Sequence, residues 1–580
     1  MNRPTGRFRT TSERRGIPRD LPEVRRAIRT LETTMRDEKY VPRALLSKGL
    51  LLAAGLALQA CGGGGGGGGS FLPIVPAPAP APAPPAPQPS GPTAEQLKAT
   101  CDALKGQVIE GVTVTGTARF EAKAPIYSSG FCQVLGTRAP FLDIEIDVPD
   151  NWTGRYWQQG GGGFDGRIAS AVTKDVGGAV TAVDPTLALK GAVYAASNGG
   201  NRASVPAEAA PAVWANGTAD GQQSATDYAY AAVGTTMRFG KAVAKTFFGK
   251  APGHSYFNGC SNGGRNAYIA AQRWPQEFDG IVAGCETMDM AGQTGAWLRA
   301  ASLTGTPAAL SPAQTGAAYA AALSACDALD GATDNLIGNP QACTFDPAVL
   351  QCGMPGASSD PAICLSAAQA GTLKSFLSEL KLTNGSTVLS GYSWGNGLGL
   401  GWGGLGGGFA LLASGDPAWL TPAKQAGFQL DTDYYMLGSG LARVGADHDK
   451  AAIASFVASG RKLISWHAGS DALLSPNDHY RNWTTMTGIA RSMGLADPNS
   501  ATRFFIVPGG GHGAGGSLKE VDWASAIMGW VENGEAPTQM TYTFTSAGTA
   551  RSMPACQYPK YPKYNGSGDV NAATSYSCSM

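Results

Sequence analysis

The sequence predicts an α/β fold in which a strand-and-helix core is interrupted by a large inserted lobe. Three observations carry that prediction. Ser255-Tyr-Phe-Asn-Gly-Cys-Ser-Asn-Gly-Gly-Arg265 reads as a strand running into a tight turn, with Ser261 at the apex between Gly259 and Gly263. Two later strand-like runs, beginning at Arg461 and Arg503, open into loops that carry Asp471 and His512. Roughly 490 residues follow the Pro-rich tract, more than one hydrophobic core ordinarily serves, so the stretch from about 290 to 445 is expected to form a second lobe.

At the N terminus, residues 1–60 read as an extension and export signal. Leu50 to Ala60 is apolar but too short to span a bilayer, and it follows Arg43 and Lys48. It ends in Leu58-Gln-Ala-Cys61, which resembles a bacterial lipoprotein signal whose cysteine, Cys61, is lipidated after cleavage. The expected location is therefore periplasmic or cell-surface, anchored at the outer membrane. Met35 is an alternative start, and Arg14-Arg15 and Arg25-Arg26 lie too far upstream to argue for twin-arginine export. Residues 61–92 continue with eight glycines and an Ala-Pro tract from Pro76 to Pro92, a tether that is flexible first and extended after. Residues 1–60 hold 13 of the 44 basic and 6 of the 43 acidic side chains, which leaves 31 and 37 and a net charge of −6. No basic patch argues for nucleic acid. Membrane contact is expected through the lipid alone.

The core begins with Gly154-Arg-Tyr-Trp-Gln-Gln-Gly-Gly-Gly-Gly-Phe-Asp-Gly166, a strand ending in a glycine loop. Gly259-Cys-Ser-Asn-Gly263 matches the G-x-S-x-G nucleophile elbow of α/β-hydrolases. Its glycines are required because the strained turn brings backbone too close for a Cβ. Asn266 to Gln272 continues as a helix, Trp274-Pro275 ends it, and Phe278 to Ala283 is the next strand. Ser261 is thus the candidate nucleophile. The oxyanion donors should be the N–H of Asn262 and one from the glycine loop, with Gly162 narrowly preferred to Gly163; a flexible turn is the plainer reading of that loop.

A base and an acid should follow in the order Ser, Asp/Glu, His. Of five histidines, His254 precedes the elbow and His448 lies in the charged Asp447-His-Asp-Lys450. His467 comes just before the candidate acid, and His479 follows Asp478 on a helix-like stretch. His512 ends a buried-type strand within Val507-Pro-Gly-Gly-Gly-His-Gly, where glycines let the imidazole swing beside Oγ. It is the expected base. Asp471, in the loop after Lys462-Leu-Ile-Ser-Trp-His-Ala468, is the expected acid, with a helix N-cap as its other reading; Asp478 and Asp447 are weaker.

Phe247 to Arg265 and Ala271 to Gly284 closely resemble the tannase/feruloyl esterase family, which also contains mono(2-hydroxyethyl) terephthalate hydrolases. The resemblance continues through Lys462 to Asp471, Val507 to His512, Trp530 to Pro537, Pro554 to Pro559 and Tyr564 to Gly568. It implies an α/β-hydrolase core over residues 93–290 and 446–580, and a lid domain over 291–445 carrying a calcium site. The implied activity is carboxylic-ester hydrolysis, with feruloyl or galloyl esters as the default small-molecule substrates. A terephthalate monoester or another small ester is the alternative. A rival from another class is a surface binding protein that keeps the fold without turnover.

The resemblance also implies the disulfides Cys101–Cys132, Cys326–Cys343, Cys352–Cys364 and Cys556–Cys578, as suits an oxidising compartment. The family places a further cysteine directly after the histidine to pair with the one beside the serine, but here Gly513 follows His512. Cys285, just past the strand that ends at Ala283, is the substitute partner expected for Cys260; two buried thiols are the alternative. Asp327, Asp330 and Asp334, with the carbonyls of Ala332 and Leu336, match the family's structural Ca²⁺ site, an all-oxygen set that suits this ion. A solvated acidic turn is the plainer reading. Trp394, Trp402 and Phe409 could wall an aromatic acyl pocket, with His467 nearby, or could be lid core. Terephthalate-monoester hydrolases of the family grip the free carboxylate with a lid arginine, yet no Arg or Lys lies between Lys381 and Lys424. That favours a neutral aromatic acid ester.

Overall fold

A mixed sheet of twelve strands organises the molecule. In the computed structural model, which describes residues 92–205, 209–546 and 548–580, these are β1 (Val108–Ile109), β2 (Val112–Phe120), β3 (Phe131–Arg138), β4 (Leu142–Pro149), β5 (Arg155–Gln159), β6 (Ala192–Ser197), β7 (His254–Cys260), β8 (Gly280–Gly284), β9 (Lys462–Ala468), β10 (Thr502–Val507), β11 (Gln539–Ser546) and β12 (Thr549–Gln557). Their spatial order is β1-β2-β3-β4-β6-β5-β7-β8-β9-β10-β12-β11. The six strands from β6 to β10 are parallel, and the flanking pairs are antiparallel. Cys61, the expected export signal and nearly all of the expected tether lie outside the described residues.

Parallel strands covered on both faces must be apolar on both, and the sequence meets that demand. Phe257, Ile281, Leu463 and Phe504 face one core with helices α1 (Ala232–Phe248), α2 (Asn262–Arg273) and α6 (Pro476–Ser492). Their neighbours Tyr256, Val282, Ile464 and Phe505 face a second core with α7 (Trp523–Asn533). The period-two alternation of strand side chains produces this division. Helix α2 starts at Asn262, earlier than the sequence suggests, because Ser261 itself is the residue preceding the helix. Trp274, forced out of helical backbone by the proline after it, ends it.

Between β8 and β9 the chain leaves the sheet for a mainly helical segment. It contains α3 (Met290–Ser302), α4 (Gly403–Ser414) and α5 (Leu430–Val444), which bury Leu298, Phe409, Leu411, Leu437 and Leu441 together. That cluster includes Tyr228 and Leu474 from the sheet-bearing part, so the segment sits on the core rather than beside it. The described residues form one compact unit. Among the described residues no helix is long and apolar enough to cross a membrane.

Candidate active site

Loops from five parallel strands meet at one sheet edge, the carboxyl ends where open α/β sheets bind ligands. Gln159 pairs with Asn258, Gly284 with both Cys260 and Trp466, and Ala468 with Val507. The register thereby gathers the glycine loop after β5, Ser261 after β7, Cys285 after β8, Asp471 after β9 and His512 after β10. Ser261 adopts φ 59° and ψ −129°, a left-handed strain that serine pays only where surrounding contacts enforce it. The glycines make the enforcement possible. A Cβ on Gly259 would stand 2.3 Å from the Gly263 backbone, and one on Gly160 would stand 2.6 Å from Gly263 Cα. Backbone therefore packs on backbone, and the glycine loop lies directly against the elbow.

The three side chains singled out in the sequence come together. His512 Nε2 lies 3.0 Å from Ser261 Oγ, and His512 Nδ1 lies 2.7 Å from Asp471 Oδ2. Asp471 Oδ1 accepts the N–H groups of Leu473 and Leu474, so the carboxylate caps the turn as well. Burial alone would raise the Asp471 carboxyl, but hydrogen bonds and charge from His467 and His512 hold it well below the usual carboxylate range. Asp478 and Asp447 stand elsewhere. Asp478 accepts from Thr287, Ser390 and Arg481, and the N–H of Met290 reaches Asp447.

His467 does not line the substrate space, contrary to expectation. It shares a strand face with Leu463 and Ser465, is wholly buried, and meets Asp471 Oδ2 through Nε2 at 3.1 Å. Its Nδ1 meets His479 Nδ1 at 2.9 Å, His479 Nε2 meets the Tyr268 hydroxyl at 2.5 Å, and that hydroxyl meets Ser465 Oγ at 2.8 Å. Burial pushes His479 well below the usual histidine range, so it is neutral. These contacts join Ser465, Tyr268, His479 and His467 in one buried chain that ends on Asp471, whose ionised carboxyl can only accept. The signal for this was present in the alternation of β9, which turns His467 away from the Trp466 face. His448, in its charged segment, is also buried, with Nε2 against the Arg265 carbonyl and its pKa lowered to about 3 by burial and by the Arg265 charge.

Ser261 and His512 open onto a cavity of about 210 Å³. Its apolar wall is Met290, Trp297, Leu405, Phe409, Leu473 and Leu474, and its remaining lining is Gly163, Asn262, Arg265 and Glu286. Phe409 meets both readings left open for it, lining this cavity and packing its ring against Phe164, Tyr228 and Trp297 in a buried cluster. Trp394 takes the other reading, lid core: it is buried, packs on Phe345 and borders a separate cavity of about 340 Å³. Trp402 stands at the start of α4 and is 38% exposed. In the glycine loop, Gly163 rather than Gly162 reaches the cavity, and its carbonyl accepts the Tyr228 hydroxyl at 3.0 Å. Asn262 opens α2, where a backbone N–H has no intrahelical acceptor.

Beneath the cavity Arg265 is wholly buried and spends its five donors on Asn262 Oδ1, the carbonyls of Ala229, Ala446 and Tyr228, and Asn266 Oδ1. The Asn262 side-chain amide in turn donates to Asp165. Burial pushes Asp165 up to about 7, against the opposing Arg265 charge and the Asn262 hydrogen bond.

All five expected disulfides are present, Cys101–Cys132, Cys260–Cys285, Cys326–Cys343, Cys352–Cys364 and Cys556–Cys578. The second ties the residue before Ser261 to the residue before Glu286. In the acidic loop, Asp327 accepts the N–H groups of Asp334, Asn335 and Leu336, while Asp334 accepts from Arg551 and Tyr576. Among the described residues no three His, Cys, Asp or Glu side chains are gathered as a metal cage. Asp330 Oδ2 is nevertheless buried without a hydrogen-bond partner, and burial with its carboxylate neighbours pushes Asp330 up to about 6. An orphaned buried carboxylate oxygen beside two further aspartates is a donor set that fits a hard cation.

The sequence matches the tannase and feruloyl esterase family over residues 127–400 and 443–579. A mono(2-hydroxyethyl) terephthalate hydrolase of Piscinibacter sakaiensis is 30% identical over 83% of this chain and 92% of its own length. An uncharacterised esterase of Xanthomonas campestris pv. campestris is 30% identical over 84% of this chain and 92% of its own. The crystal structure of feruloyl esterase B from Aspergillus oryzae superposes with a TM-score of 0.67 over 83% of this chain and 100% of that one, at 20% identity, and so shares the α/β-hydrolase fold. The chain belongs to the tannase and feruloyl esterase family and is a carboxylic-ester hydrolase.

Proposed function

We propose that the protein hydrolyses esters of single-ring aromatic acids, of feruloyl or galloyl type, by two-step acyl transfer through Ser261. The observation that carries this reading is the Ser261–His512–Asp471 chain of contacts opening onto a small aromatic cavity. As Oγ attacks the ester carbonyl, His512 Nε2 takes its proton, and Asp471 keeps the other proton on Nδ1 and stabilises the imidazolium. The N–H groups of Asn262 and Gly163 receive the oxyanion. His512 then protonates the departing alcohol, deprotonates water for attack on the acyl-enzyme, and returns the proton to Ser261 as the acid leaves. A cavity of about 210 Å³ falls below the roughly 300–1,000 Å³ of drug-sized sites, which suits one ring.

The terephthalate-monoester reading draws support from the 30% identical relative of that name. Against it, the cation in the cavity lining, Arg265, has no donor left for a substrate carboxylate. Initial rates on methyl ferulate, methyl gallate, mono(2-hydroxyethyl) terephthalate and p-nitrophenyl butyrate test the assignment, with Ser261→Ala as control. A preference for the first two supports it; a preference for the terephthalate ester contradicts it.

Five disulfides fit an exported protein, and Cys61 is the proposed lipid attachment that holds it at the outer membrane. Metabolic labelling with a fatty-acid analogue should mark the wild type and spare Cys61→Ser. Asp327, Asp330 and Asp334, with the carbonyls of Ala332 and Leu336, would hold a structural Ca²⁺ that takes no part in the chemistry. A chelator should then lower the Tm, and added Ca²⁺ should restore it; an unchanged Tm contradicts the site.

A further inference from the structure

We propose that Glu286 determines acyl specificity by hydrogen-bonding a ring hydroxyl of the acid seated in the Ser261 cavity. The inference deepens the aromatic-ester reading and rests on it.

The polar lining of the cavity is nearly all committed. Ser261 and His512 face each other, Arg265 has spent its donors, and the Asn262 side chain is held at one end by Arg265 and at the other by Asp165. Glu286 is the exception. Its Oε1 accepts the Thr287 N–H at 2.9 Å, while Oε2 has no hydrogen-bond partner among the described residues. The residue is 3% exposed and lines the cavity whose other wall is apolar and aromatic. A hydroxyl carried into that space without a partner loses its hydration uncompensated. Opposite Glu286 it finds one.

The backbone fixes where this partner stands. Cys285, held at φ 38°, is bonded to Cys260, the neighbour of Ser261. On the other side, a Cβ on Gly264 would lie 2.3 Å from the Gly284 carbonyl and 2.9 Å from Glu286 Cβ, so α2 packs directly on this turn. Nucleophile and carboxyl are therefore set at a fixed spacing, which a recognition residue needs.

The groups that face Glu286 are Arg265 from α2, Asp471 from the loop after β9, the Tyr228 and Tyr268 hydroxyls, and His512 across the cavity. Burial pushes its carboxyl up to about 8; the Thr287 hydrogen bond and the Arg265 charge pull the other way, and the Asp471 charge adds to the rise. At neutral pH Glu286 keeps its proton and can both give and accept a hydrogen bond, as a hydroxyl does. It offers no positive charge to a substrate carboxylate.

The test compares methyl 4-hydroxycinnamate with methyl cinnamate, which differ by the one ring hydroxyl, as the ratio of kcat/KM within each protein. Such a ratio cancels losses shared by both substrates. Wild type should favour the hydroxylated ester roughly tenfold, the worth of one buried hydrogen bond. Glu286→Leu should bring the ratio to near one, and Glu286→Gln, whose amide still gives and accepts, should keep most of it. A ratio near one in the wild type overturns the proposal without any variant, and an unchanged ratio in a folded Glu286→Leu protein overturns it as well. If neither cinnamate is hydrolysed while p-nitrophenyl butyrate is, the aromatic-ester reading fails instead, and this inference with it.

Discussion

Asp471 serves two imidazoles at once, and the second of them is what keeps a wholly buried carboxylate ionised behind His512. His467 is thus a positioning residue, and removing it leaves Asp471 one donor short in a dry site. His467→Ala should lower kcat about tenfold, and His467→Gln, which can place an amide N–H near the lost Nε2–H, should recover much of that. Equal losses in both variants would reduce His467 to packing. Ser261, Asp471 and His512 were legible because the G-x-S-x-G spacing, the chain order and the scarcity of histidine leave few choices. Glu286 was not, since a lone glutamate after a cysteine has no motif, and only the register of β8 turns it into the cavity. Trp394 and Trp402 could not be assigned between pocket wall and lid core for a related reason: irregular glycine-rich chain carries no period from which a facing direction can be read.

At the scale of elements, the elbow works because four backbone segments touch where side chains are absent. A Cβ on Gly263 would stand 2.8 Å from the Gly161 carbonyl, so Gly263→Ala should cost about 1–3 kcal/mol and displace the glycine loop after β5. Urea midpoints together with kcat would check this, and a stable, fully active variant would contradict it. The Cys260–Cys285 bond closes a loop with a sequence separation of 25 residues, for which the chain-entropy relation gives about 3.5 kcal/mol. The Cys260→Ala/Cys285→Ala double variant should lose stability of that order in urea. Strand, turn and helix were readable here because hydrophobic runs, glycines and Trp274-Pro275 mark their boundaries. The substitute disulfide was inferable because parallel neighbours end side by side.

For the whole molecule, buried titratable groups set opposing pH dependences. His448 is pushed down to about 3 and His479 well below its usual range, whereas unfolded histidine titrates near 6.5. Between about pH 6.5 and 3 the unfolded chain binds the extra protons, so this contribution to stability is lost as pH falls. Glu286 acts oppositely: raised to about 8, it holds an extra proton in the folded state above the unfolded glutamate range, and its contribution is lost as pH rises towards 8. Below about pH 4.5 the histidines act without that opposition. There the fall in urea stability should be shallower in His448→Asn than in wild type by roughly 1 kcal/mol per pH unit; equal slopes would contradict a buried neutral His448. The broad plan, a sheet core with a long helical insertion, followed from chain length and the order of strand-like runs. The intimate packing of the insertion on Tyr228 and Leu474 did not, because tertiary contacts between distant segments leave no local pattern.

The central claim is that Ser261 is an activated nucleophile, and covalent labelling tests it most directly. Purified protein treated with a fluorophosphonate should gain one adduct, mapped by peptide mass to Ser261. The adduct should be absent in Ser261→Ala and formed far more slowly in His512→Ala. A folded wild type that stays unlabelled, or carries the adduct on another residue, would contradict the account.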